Sequence, residues 1–135
     1  MGGTRMSAAA LALALALAAS GAAAAEVDGR WRTEPNDEGS YLVVEIGPCP
    51  DAPEQRCGDV VAARRADGVE GDRHVGRRMI DAMKPEGGGA WDDGTIWAPD
   101  DDETYDASMA LTADGLDVEG CLLVFCRGQT WTRDE

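Results

Sequence analysis

Histidine, phenylalanine and lysine each occur once in 135 residues, and positive charge is short overall, with 12 Lys+Arg against 26 Asp+Glu. That shortage excludes nucleic acid as a partner, because binding it requires cations that displace counterions from the phosphates. A net charge of −14 equally opposes docking on anionic lipid. The lone histidine, His74, weighs against nucleophilic catalysis. A Cys-His pair needs a free thiol, and a Ser-His-Asp triad would have to use Ser40 or Ser108, neither of which stands in a Gly-x-Ser-x-Gly elbow. The chain also lacks a transmembrane run of about 20 apolar residues. Its apolar stretch at residues 8–19 is rich in alanine, and the leucines end at Leu17.

That stretch has the form of a signal peptide. Arg5 is the only charge before Glu26, the run of alternating leucine and alanine follows it, and Ala23, Ala24 and Ala25 supply the small residues at which a signal peptidase cuts. The expected organisation is a signal segment at residues 1–25 and a single domain at residues 26–135, exported to the periplasm or secreted, with no membrane anchor after cleavage. Because the segment carries one cation and no acid, the remaining domain is still more acidic than the full chain. A domain of this size has an adequate core but not a generous one, and cross-links would help it.

Four cysteines fall as two close pairs, Cys49 with Cys57 and Cys121 with Cys126. In an exported domain an even count reads as disulfides. The C-x7-C and C-x4-C spacings do not match zinc sites. The local pairing is expected, since close cysteines meet more often in the unfolded chain and each pair flanks a plausible turn.

From residue 30 onward, short alternating or apolar stretches are separated by Gly, Pro, Asp and Asn. The pattern is β rather than helical. Strand-like stretches run over residues 30–33, 41–46, 57–63, 94–98, 104–111, 116–121, 122–125 and 129–133. Residues 75–83 fit a helical turn as well as a strand, and Asp114-Gly115 marks a hairpin. Seven or eight short strands suggest an all-β antiparallel meander closed into a small barrel, which removes its exposed edges.

No catalytic site emerges from the remaining residues. The acids Asp100, Asp101, Asp102 and Glu103, with Asp92 and Asp93, lack the ligand spacing of an EF-hand and read as a solvated turn. Gly87, Gly88 and Gly89 lack the Lys-Ser/Thr of a phosphate loop. No metal or cofactor is expected. The notable side chains are the four tryptophans, Trp31, Trp91, Trp97 and Trp131, which in a small barrel either fill the core or line a cavity for a small apolar ligand. The candidate lining is Trp31, Val44, Trp97, Tyr105, Met109 and Trp131.

Gly29-Arg30-Trp31, Val43-Val44-Glu45-Ile46, Pro48-Cys49, Cys57-Gly58, Met83-Lys84-Pro85, Trp91, Gly94-Thr95-Ile96, Thr104-Tyr105, Gly120-Cys121 and Gln129-Thr130-Trp131-Thr132-Arg133 stand in the order found in the DUF2147 family of secreted bacterial proteins. The chain resembles that family along nearly all of residues 26–135. It departs from it at Ala98 and Asp102, where the family usually has Asn and Gly. The resemblance implies a lipocalin-like β-barrel of about eight strands, with no established activity. The expected role is therefore non-enzymatic: binding of a small apolar or amphiphilic ligand, or of an envelope protein. The alternative is a hydrolase using carboxylates at the barrel mouth.

Overall fold

The computed structural model describes residues 26–135 together with Gly3. The expected signal segment therefore lies, apart from Gly3, outside the described residues. Nine strands follow in order: β1 (Gly29–Arg32), β2 (Tyr41–Cys49), β3 (Ala52–Arg64), β4 (Glu70–Gly71), β5 (Arg78–Gly87), β6 (Ala90–Ala98), β7 (Glu103–Leu111), β8 (Leu116–Leu122) and β9 (Phe125–Arg133). Eight of them form a ring in the order β2-β1-β9-β8-β7-β6-β5-β3, and pairing of β2 with β3 shuts it. All pairings are antiparallel, so the chain is an all-β closed barrel; β4 is a short extra strand on β3. The ring depends on a short β1–β9 seam, where Trp31 pairs with Arg133 and Arg32 with Thr132.

Successive ring strands alternate in direction. The β1–β2, β3–β5, β6–β7 and β8–β9 connections therefore gather at one end, the mouth, and the other turns at the base. The interior from the base upward is filled. Trp31, Trp131, Trp91, Ile46, Ile80, Met83, Met109 and Leu116 belong to one buried cluster, each at most 2% exposed. The Trp31 indole donates to the Val27 carbonyl at 2.9 Å, which satisfies its only polar group. Below it, Arg133 lies over the Trp31 ring at 4.0 Å and donates to the Asp28 carbonyl, while Asp28 pairs with Arg56 at 2.8 Å. The segment before β1 thus closes the base.

Two local features depart from simple alternation. Trp91 pairs with Met109 but Gly94 pairs with Ala107, so β6 carries an extra residue, and Asp93 there has φ 57°. A bulge of this kind reverses which side chains face inward beyond it. In addition, residues 122–125 are the β8–β9 turn rather than a strand of their own, with Leu122 paired to Phe125. The ambiguous stretch at residues 75–83 enters β5, and the Asp114-Gly115 hairpin forms between Leu111 and Leu116. Both disulfides are local, Cys49–Cys57 near the base and Cys121–Cys126 at the mouth end.

Candidate functional site

Above the packed interior the barrel opens into a mouth cavity of ≈ 950 Å³. Its apolar wall is made by Leu42 of β2, Ala63 of β3 and Met79 of β5, and Leu42 and Met79 also touch the buried cluster beneath. The alternation of β2 and β3 places Leu42 opposite Ala63 on the inner face. Thr33 and Gln129 add polar groups. The Thr33 hydroxyl accepts from the Leu42 backbone N–H at 3.0 Å. The Gln129 side-chain oxygen accepts from the Trp131 indole at 2.9 Å and from the Glu34 backbone N–H at 3.2 Å. Gln129 therefore seals the tryptophan floor from the space above it.

The rim comes from loops, and its charges are segregated. The β1–β2 connection contributes Glu34, Asp37 and Glu38, whereas the β3–β5 side contributes Arg64, Arg65, Arg73 and His74; Asp100 comes from the β6–β7 turn. Arg64 pairs with Asp134 and Glu70, and Arg65 with Asp67. Arg73, by contrast, makes no ion pair among the described residues. It donates to His74 Nε2 at 3.1 Å, which makes that nitrogen an acceptor and the imidazole neutral. Partial burial, with the charges of Arg73 and Arg77, lowers the His74 pKa below its ordinary value, despite the opposing pull of Asp102.

None of the six residues expected to line a ligand site lines this cavity. Trp31, Val44, Met109 and Trp131 belong to the buried cluster, and Met109 also lines a second hollow along β6, β7 and β8. Tyr105 is half-buried near the mouth, where its hydroxyl bonds the Asp101 carboxylate and Arg127 lies 5.8 Å from its ring. Trp97 faces the outside of the barrel, because the β6 bulge turns Gly94 and Ile96 inward instead. It is nonetheless only 6% exposed. Arg77 covers its ring at 3.8 Å, His74 packs edge-on at 5.0 Å, and its indole donates to Asp102 at 2.8 Å. Trp97 thus holds His74 at the rim from behind.

No periodicity in the sequence marks the loop residues at the mouth. The acid-rich loops at residues 34–39 and 65–73 were legible only as solvated connections. A second, shallower hollow of ≈ 320 Å³ lies along β6, β7 and β8, near Trp91, Ser108, Asp117 and Glu119. Two clusters gather three metal-type ligands among the described residues, Cys49 with Cys57 and Asp81, and Cys121 with Cys126 and Glu119. In each, both sulfurs are spent in a disulfide, which leaves one carboxylate and no site.

Comparison with known proteins agrees with this architecture. The family model described as "Uncharacterized protein conserved in bacteria (DUF2147)" matches residues 29–133. Among solved structures, the chain is similar to protein HP1028 from Helicobacter pylori, described as belonging to the lipocalin family. The TM-score is 0.61 at 14% identity, over 81% of this chain and 83% of that one. At that identity the likeness concerns the fold. No curated protein matches the sequence.

Proposed function

The chain belongs to the DUF2147 family of proteins conserved in bacteria, and on that premise we propose that it is an exported, non-enzymatic barrel that binds one small amphiphile in its mouth. The observation that carries this reading is the ≈ 950 Å³ mouth cavity, whose wall includes the apolar side chains Leu42, Ala63 and Met79. Its size falls within the roughly 300–1,000 Å³ of ligand pockets. Leu42, Ala63 and Met79 offer an apolar portion of the ligand an apolar wall, while the rim offers its head group carboxylates on one arc and Arg73 on another. The lipocalin-like fold supports the same reading, since barrels of eight strands have room for one small ligand at most. The two disulfides, with the leader-like residues 1–25, support export.

A hydrolase working through carboxylates finds less support. A general acid needs a carboxyl held above its ordinary pKa. The Val69 backbone N–H holds Asp67 below its ordinary pKa, and Arg32 and Arg64 hold Asp134 below its own against the opposing effect of burial, so neither is poised as that acid.

Native mass spectrometry of the protein purified from its own host tests the proposal. A single bound species of a few hundred daltons, released on unfolding and extractable into organic solvent, is the expected result. Protein that leaves its host bare and takes up no amphiphile from a host lipid extract would overturn it.

A further inference from the structure

The largest apolar exposure among the described residues is not at the cavity but at the β8–β9 hairpin tip. Leu122 is 50% exposed, Leu123 90%, Val124 86% and Phe125 78%. Four consecutive large apolar side chains in water, on a chain with net charge −14, are not what solubility selects. Turn chemistry does not ask for them either. Two-residue hairpin turns favour Gly or Asn at positive φ, yet Leu123 sits there at φ 58°. The Cys121–Cys126 disulfide ties the hairpin immediately behind the tip and fixes it as one projecting unit.

We propose that this tip is a membrane-docking element that inserts into the apolar layer of a net-neutral, zwitterionic lipid surface and seats the barrel with its mouth against that surface. Size and shape favour a bilayer over a protein. Four side chains on a convex turn present at most a few hundred Å², short of the ~800 Å² per partner that a stable protein interface or dimer buries. A bilayer needs no complementary surface. Charge selects the kind of lipid. Glu119 and Asp101 stand behind the tip, with Arg127 the nearest cation and already paired with Asp101 at 3.7 Å. Together with the acidity of the whole chain, this repels an anionic surface, whereas a zwitterionic one exerts no net repulsion. The β8–β9 turn lies at the mouth end of the ring, so insertion points the cavity at the lipid. The inference does not depend on the cavity being filled, because the tip is separate from the cavity lining.

A tryptophan placed at the tip tests it in the protein recovered from its host. The native tryptophans are each at most 6% exposed, so an acyl-chain quencher reaches none of them directly. Phe125→Trp should be quenched at least twofold by phosphatidylcholine vesicles brominated in the acyl chains, and the parent protein should not. Leu123→Asp with Val124→Asp, both at exposed positions, should reduce co-sedimentation with phosphatidylcholine vesicles at least tenfold while leaving the thermal unfolding curve unchanged. Unquenched Phe125→Trp would overturn the proposal. Equal quenching of the parent would also do so, by placing the lipid inside the barrel instead of at the tip. So would a lipid-free dimer that the double aspartate variant dissociates, which would make a second copy the occupant.

Discussion

Asp134 accepts a 2.8 Å hydrogen bond at Oδ1 from Nη1 of Arg64, 70 residues earlier in the chain. The same oxygen accepts from Nε of Arg32 at 2.8 Å. The contact spans from the end of β9, past β1 and β2, to β3. On the neighbouring strand β2, Val43 is 0% exposed although it lies outside the interior cluster. Val43 pairs with Arg32, on the face opposite to Trp31 and Val44. The last residues of the chain therefore latch the β1–β9 seam through two arginines, one on β1 and one on β3.

This latch predicts a pH dependence. Burial alone would raise the Asp134 pKa, but the hydrogen bonds and charges of Arg32 and Arg64 outweigh it and lower the pKa below the ordinary 3.8. The unfolded chain then takes up a proton that the folded one refuses. The contribution is complete above the unfolded value of 3.8 and is lost as pH falls through the lower folded value. Asp134→Asn should cost about 1–2 kcal/mol in urea unfolding at neutral pH, toward the low end for hydrogen bonds to a charged group because the Arg32 partner is partly exposed to screening solvent. The gap from the parent protein should shrink as pH falls from 4 toward 2. A gap that stays constant over that range would remove the ionised carboxylate from the explanation.

Trp131 is 1% exposed and lies where the ring closes. Its replacement by alanine leaves a large void in the cluster it shares with Trp31 and removes one of the two donors to the Gln129 oxygen, so Trp131→Ala should lower stability by about 3–5 kcal/mol. A loss under about 1 kcal/mol by urea denaturation would take this side chain out of the supporting core.

The cysteine pairing is open to direct mapping. Trypsin without reduction cuts after Arg56 and Arg64, placing Cys49 and Cys57 on adjacent peptides, and leaves Cys121 and Cys126 together on the peptide 79–127, since Pro85 protects Lys84. The observed local pairs link only the first two peptides. A species joining all three would show crossed pairing.

The strands, their antiparallel closure and the inward tryptophans Trp31 and Trp131 were legible because alternation of side chains directly reports a two-sided sheet. Trp97 was not. A single extra residue between Trp91 and Gly94 reverses the alternation, and nothing in the sequence marks the bulge, since its left-handed residue is Asp93 rather than glycine. Leu122 to Phe125 read as a strand for a similar reason. Their apolar character hides a turn that a C-x4-C disulfide encloses. The mouth was least legible of all, because Thr33, Arg73 and His74 meet there only through closure of the ring, which local sequence does not encode.

Titration with cis-parinaric acid, a fluorescent fatty acid, decides whether the mouth holds an amphiphile. Ala63 lines the cavity wall with little exposure, so Ala63→Trp should fill the space a ligand would take, and its thermal unfolding curve should establish that the barrel is intact. The parent protein should bind it saturably and one to one, and Ala63→Trp should weaken that binding at least tenfold, about 1.4 kcal/mol of affinity. Absence of saturable binding, or binding that a folded Ala63→Trp leaves unchanged, would contradict an amphiphile site in the mouth.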